Sequence, residues 1–268
     1  MVNPEPPTTP WTTIRYRAGK RFEHVDILTT EGPVEFRIGG VPVAVLMRTP
    51  GSDEALGLGF VITEGIVVGP DEVDSIVMIE GAEHGDRYDV NLAEGVLIDP
   101  EQFRRNVFAS SSCGVCGKAS IDAVLVASRT PPAGPTITPE LVTSLPDRLI
   151  EAQDQFALTG SLHAAAAFSA GGELLAAAED VGRHNAVDKV IGILASRSWP
   201  PGEIILGVSG RIGFEIVQKS AVAGIPIVVG VSGASSLAAE LGETTGVTVV
   251  GFVREDGFNV YSGAQRIV

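Results

Sequence analysis

Apolar and polar positions change rhythm along this chain. Early on, the period is two. Val34-Glu35-Phe36-Arg37-Ile38 alternates, Gly39-Gly40 supplies a turn, and Val41-Pro42-Val43-Ala44-Val45-Leu46 returns. That pattern predicts a hairpin within a strand-rich stretch over 22–47. Ser52-Asp53-Glu54 then opens a helix carrying Leu56, Phe60 and Ile66, with acids in its first turn and several glycines that leave its length open. Two further strands are predicted over 73–80 and 88–93. A surface loop at Thr130-Pro131-Pro132-Ala133-Gly134-Pro135 and a helix over 141–155 come next.

From Thr159 onward the text alternates between element types. Strands over 163–169 and 174–179 flank Ala170-Gly171-Gly172, a second hairpin, and a helix follows with Val187, Val190, Ile191 and Leu194 on one face. Strands over 204–208, 225–231 and 247–253 then alternate with helices over 214–223 and 235–242. These three strands are continuously apolar and rich in β-branched residues, as strands covered on both faces of a parallel sheet are. The reading is therefore α/β. It has a disordered Pro/Thr-rich tail over 1–12, a small β-rich domain over 13–108, and a main domain over 109–268. No internal repeat is visible.

In such sheets ligands bind beyond the carboxyl ends of the strands. Those ends carry Ser209-Gly210-Arg211, Ser232-Gly233-Ala234-Ser235-Ser236 and Arg254-Glu255-Asp256-Gly257. Serine and glycine also make ordinary turns and caps. Three such loops at one edge, with arginines and following helix starts, favour a phosphorylated or nucleotide ligand.

Charge narrows the classes. Asp plus Glu number 33 against 19 Lys plus Arg, a formal charge of −14. This argues against a general nucleic-acid or anionic-membrane surface, while leaving room for a local basic pocket near Arg183, Arg211 or Arg254. With 44% hydrophobic residues the chain can build a large core. No apolar run approaches the ~20 residues of a membrane helix. The first residues, Met1-Val2-Asn3-Pro4-Glu5-Pro6-Pro7, have neither the basic nor the apolar region of a secretory signal. A cytoplasmic location is the expectation, and the low cysteine count agrees with it.

The only two cysteines sit in Cys113-Gly114-Val115-Cys116, after Ser110-Ser111-Ser112 and before Gly117-Lys118. Ile121, Val124 and Leu125 then recur at helical spacing. A helix entrance and a nearby lysine favour the thiolate, which is the nucleophilic form. The spacing alone admits a redox pair, half of a zinc site, a persulfide carrier or two buried structural cysteines. The segment's Ser/Gly content predicts poor order without a partner. The second polar cluster is Glu179-Asp180-Val181-Gly182-Arg183-His184-Asn185-Ala186-Val187-Asp188-Lys189. Its paired charges exceed what a helix cap requires, and His184 could bind a ligand or move a proton. His163, ahead of four alanines, reads as a packed core histidine.

These runs, with Thr159-Gly160-Ser161-Leu162-His163-Ala164-Ala165, strongly resemble the FdhD family of formate dehydrogenase accessory proteins over nearly the full length. The resemblance implies a main domain with a cytidine-deaminase-like three-layer α/β/α fold, a mixed sheet, and a homodimer. It implies a sulfurtransferase in which Cys113, with Cys116 beside it, takes sulfur as a persulfide from a cysteine desulfurase. The sulfur then passes to the molybdenum cofactor, a bis-molybdopterin guanine dinucleotide, before insertion into formate dehydrogenase. The family's cofactor stretch falls on Phe252, Val253, Arg254, Glu255, Asp256 and Gly257. Guanine nucleotide is expected at the sheet edge, lined also by His184, Ser209, Arg211, Ser235 and Ser236.

Three rivals are weighed. A zinc deaminase-like site needs H-x-E and later P-C-x-x-C, but here the cysteines come first, Ser112 replaces the proline and Ala165 stands in the glutamate's place. A thiol oxidoreductase would carry the cysteine pair after the first strand of a thioredoxin-like unit. A non-catalytic cofactor chaperone shares every binding feature and differs only in not needing the thiols.

Overall fold

The computed structural model describes residues 6–79, 85–99 and 134–268. Cys113, Cys116, the expected order of their segment and the helix after it lie outside the described residues.

The main body is a six-stranded mixed sheet in the order β12-β11-β10-β9-β7-β8. Its strands are β7 (His163–Ser169), β8 (Leu174–Asp180), β9 (Ile204–Val208), β10 (Ile227–Gly230), β11 (Thr248–Arg254) and β12 (Gly257–Ser262). Strands β9, β10 and β11 run parallel. Strand β7 is antiparallel to both β8 and β9, and β12 to β11. One face packs on α2 (Pro139–Glu151), where Val142, Leu145 and Leu149 meet Ala164, Ala166, Phe168, Ile205 and Val229. The other face packs on α4 (Arg183–Ala195), α5 (Phe214–Ala223) and α6 (Ser236–Thr245), through Val187, Ile191, Val217 and Leu241 against Ala165, Ala167, Leu206 and Val249. This is the expected three-layer α/β/α arrangement. The long alanine run of β7 serves both faces in turn, as side chains on a strand alternate.

A smaller sheet, ordered β4-β3-β6-β5, holds β3 (Gly32–Ile38), β4 (Val41–Arg48), β5 (Val73–Met78) and β6 (Asp86–Leu92). Helix α1 (Asp53–Thr63) covers it with Leu56, Val61 and Ile62 against Val34, Phe36 and Val90. Arg48 is 1% exposed and pairs bidentately with Asp53 at 2.8 and 3.2 Å, and with Asp86, joining β4, α1 and β6. The glycines of α1 are contact points. A Cβ at Gly57 would sit 2.6 Å from the Phe36 ring, and one at Gly59 would overlap the backbone carbonyl of Asp188 on α4. On α4, Gly192 meets the carbonyl of Ala55 in the same way. The two helices cross at backbone contact.

Three expectations change. The 1–12 tail is not disordered throughout, because β1 (Thr8–Arg17) pairs over its whole length with β2 (Lys20–Thr29). Threonine suits strands, and here it outweighs the prolines. The helix expected over 141–155 is two, α2 and the short α3 (Asp154–Thr159), broken at Ala152-Gln153. Strand β12 was not expected at all.

Candidate functional site

Because β9, β10 and β11 are parallel, their carboxyl ends form one edge, and the loops beyond them are tied together. Val231 N donates to Val208 O at 3.2 Å, Ile212 N to Gly233 O at 3.0 Å, Ser235 N to Ile212 O at 3.0 Å and Phe252 N to Ser232 O at 3.1 Å. Strand β7 runs the opposite way, so its first residue, His163, lies at this same edge opposite Asp180, the last residue of β8. Strand β12 begins at this edge too, with Gly257 opposite Arg254, so all six strands contribute to it.

The residues singled out from sequence divide by role. At one end lies the 252–257 turn. Phe252 is 51% exposed, holds φ at +54°, and packs its ring against Gly233, where a Cβ would lie 2.6 Å away. The Val253 side chain is wholly buried against α2, since the strand turns alternate residues inward. Arg254 donates from Nη1 to the carbonyls of Val231 at 2.6 Å and Val253 at 2.7 Å, clamping its own turn. Glu255 and Asp256 are exposed acids. With Thr143 and Asp147 of α2 the turn borders a groove of about 580 Å³. In the middle, Ser235 accepts from Ala238 N at 3.2 Å and so caps α6, while Ser236, its first residue, is exposed. Ser209 Oγ accepts from Ala164 N at 2.9 Å, fixing its loop to β7.

The other end holds Arg183, His184, Arg211 and His163. His184 Nε2 lies 3.7 Å from Glu215 Oε2 of α5. Arg211 is exposed. His163 corrects the sequence reading. It is half-buried at the edge, and a Cβ on Gly210 would lie 3.1 Å from its Nδ1 and 3.6 Å from Arg183 Cδ. Burial lowers the His163 pKa below the ordinary histidine value. Arg183 and Arg211 lower it too, and Asp180 acts against them. Its sequence signal was the strand start after Gly160, but only the pairing of β7 with β9 shows which end of the sheet it reaches.

Most of the polar run over 179–189 turns inward. Asp180 is fully buried and accepts from Lys189 Nζ at 2.8 Å, Thr49 N at 3.1 Å, Gly182 N at 2.8 Å and Asn185 Nδ2 at 2.9 Å. Lys189 also donates to Thr49 O at 2.8 Å, and Asn185 to Met47 O at 2.8 Å. Asp188 accepts from Lys219 at 2.9 Å and from Thr63 at 2.7 Å. Burial works against the Lys219 ammonium, but Asp188 and Glu64 more than offset it and hold it charged. These groups join α4 and α5 to α1 and to the loop after β4. Glu179 caps α3, accepting from Gln155 N at 2.8 Å and Phe156 N at 2.7 Å. Among the described residues no group of three or more His, Cys, Asp or Glu could hold a metal ion, and no helix is long and apolar enough to cross a membrane.

Comparison with known proteins agrees with this layout. A model of the FdhD/NarQ family matches residues 29–268. The sulfur carrier protein FdhD of Streptomyces avermitilis is 48% identical over 265 residues, covering 95% of this chain and 93% of its own. That of Mycobacterium tuberculosis is 46% identical over 253 residues, covering 90% and 92%. A crystal structure described as a formate dehydrogenase accessory protein, from Desulfotalea psychrophila, shares the fold with a TM-score of 0.78 at 24% identity, covering 98% of this chain and all of that one. The match runs through the four- and six-stranded sheets and every loop of the edge, and the chain belongs to the FdhD/NarQ family.

Proposed function

We propose that this chain is a sulfurtransferase serving formate dehydrogenase. It would take sulfane sulfur from a cysteine desulfurase onto Cys113 and deliver it to the bis-molybdopterin guanine dinucleotide molybdenum cofactor, its substrate. The observation that carries this reading is the pairing of family membership with a chain whose only two cysteines are three residues apart. The Cys113 thiolate attacks the outer sulfur of the donor persulfide. A new sulfur–sulfur bond forms on Cys113 and the donor cysteine leaves as its thiolate. Cys116 can then share or release that sulfur by thiol exchange. The tied loops at the sheet edge offer backbone close to a guanine nucleotide portion of the substrate, and the exposed Phe252 ring offers a stacking face. A cytoplasmic homodimer is part of the same proposal.

A chaperone that binds the cofactor without sulfur chemistry is the second reading, favoured by the several strand-end loops tied together at one edge, which could hold a nucleotide whether or not the thiols react. The two separate in one experiment. Cys113→Ala, alone and with Cys116→Ala, is tested for formate dehydrogenase activation in cells lacking the native protein. Persulfide mass after incubation with desulfurase and cysteine, and calorimetric affinity for guanosine diphosphate, are measured beside it. Sulfur loading and activation should vanish while nucleotide affinity stays, with stability within about 0.5 kcal/mol of wild type. A double variant that still activates the enzyme establishes the chaperone instead.

A further inference from the structure

The two ends of the sheet edge differ in how their charges are matched. At the 252–257 end Arg254 is committed to two carbonyls, and the next two residues are exposed acids. That end is a poor host for phosphate. At the other end the balance is reversed. Arg183 makes no hydrogen bond or ion pair among the described residues, and its Nε is buried without a partner. A buried donor left unpaired costs free energy that a bound acceptor would restore. In a chain of charge −14 an arginine with no acid paired to it among the described residues is itself a signal.

The acids that could have paired with it are engaged elsewhere. Asp180 is enclosed by Lys189, Asn185 and two backbone N–H groups, Glu179 caps α3, and Glu215 faces His184. Gly210 keeps the loop after β9 in contact with both the His163 ring and the Arg183 stem. Gly182, which begins α4, has no side chain to cap that helix, so positive backbone charge faces the same corner.

We propose that Arg183, His163 and Arg211 form an oxyanion site at this corner that holds a pyrophosphate group. The inference rests on the nucleotide-binding part of the proposed function and gives that ligand's charged portion its own anchor, apart from the Phe252 ring. Arg183 supplies the planar fork that suits phosphate oxygens. Arg211 adds exposed charge at the rim. His163 supplies a ring that faces Arg183 from α4, Arg211 from the loop after β9 and Asp180 from β8. While the corner is empty the two arginines disfavour its protonation. A bound anion reverses that field, so binding draws a proton onto His163 and strengthens as pH falls.

The test is calorimetric, on the full chain. Pyrophosphate, guanosine diphosphate and guanosine are titrated into wild type, Arg183→Gln and His163→Gln. Sulfate, whose charge is constant across the range, is titrated into wild type and His163→Gln from about pH 8 to about pH 6, spanning the histidine range. Arg183→Gln should weaken pyrophosphate and guanosine diphosphate by about tenfold or more, the loss of one charged hydrogen-bonding group, and leave guanosine unchanged. Sulfate affinity in wild type should rise as pH falls, and His163→Gln should flatten that slope. Should Arg183→Gln fail to fold, Arg183→Lys replaces it, keeping the charge but not the fork, with a smaller loss expected on the same two ligands. Pyrophosphate affinity unchanged by both Arg183 and His163 substitutions, or no binding of pyrophosphate to wild type, overturns the proposal. Neither result touches the sulfur-loading measurement on Cys113, so the two readings fail separately.

Discussion

Helix α4 presents two kinds of charged residue within two turns of each other. Asp188 and Lys189 are 2% exposed, and each reaches a partner on another element. Arg183 and His184, at its first turn, are less deeply buried, and Arg183 Nε has no acceptor among the described residues. The sequence treats them as one dense polar run. In the structure they are opposite cases. Buried charges with complete partners hold elements in place. A cation left unmatched next to a glycine-rich loop is free to serve a ligand. Matching, more than residue type or burial, separates the joint from the site.

The sharpest way to break that comparison is to remove one member of each group. Lys189→Met leaves Asp180 fully buried without its counter-ion, which should cost about 3–5 kcal/mol in denaturant unfolding. Arg183→Gln removes a cation with no partner, whose buried Nε costs free energy while unpaired, and should leave stability unchanged or raise it. If Arg183→Gln proves as damaging as Lys189→Met, Arg183 belongs to the joint and the distinction fails.

A smaller effect tests the joint through its backbone. Gly59→Ala replaces a poor helix former with the best one, a gain of about 1 kcal/mol in an exposed helix. Here the new methyl would overlap the Asp188 carbonyl, and a backbone carbonyl cannot swing aside as a long side chain can. Overpacking of this kind costs roughly 1–3 kcal/mol, so the substitution should destabilise despite its propensity. A stabilised Gly59→Ala protein, measured by thermal unfolding, would mean that α1 and α4 are not held at backbone contact.

How legible this was from sequence follows from what each signal measures. Strands β9, β10 and β11 were legible because burial on both faces leaves an uninterrupted apolar record. The β7–β8 hairpin was legible from Gly171-Gly172. Strand β1 was not, since exposed Thr and Pro residues resemble a disordered tail until their pairing with β2 is seen. The glycines of α1 looked like interruptions because propensity is local, whereas their reason, the Phe36 ring and the Asp188 carbonyl, is distant in sequence. The site followed the same rule. Its three loops were readable as strand ends. Which side chains face outward was not: the Val253 side chain turns inward, Ser235 caps a helix, and His163 reaches the edge.

His163 supplies the smallest expected effect, and its sign can be argued fully. In the folded protein burial, Arg183 and Arg211 disfavour the protonated ring, so its pKa lies below the unfolded value of 6.5. Above that value both states carry a neutral ring, and His163 makes no difference to the pH dependence of stability. As pH falls below 6.5 the unfolded chain takes up a proton that the folded chain resists, and stability declines through the interval down to the lowered folded value. Below that value both states are protonated and the decline from this residue ends. Urea unfolding of wild type and His163→Gln across that window should show a steeper loss in wild type, with the two curves running parallel above it. Adding pyrophosphate should reduce the difference, because an anion at Arg183 stabilises the protonated ring. Parallel curves throughout would place the His163 ring in an environment no different from water, and would remove it from the corner that Arg183 and Gly210 define.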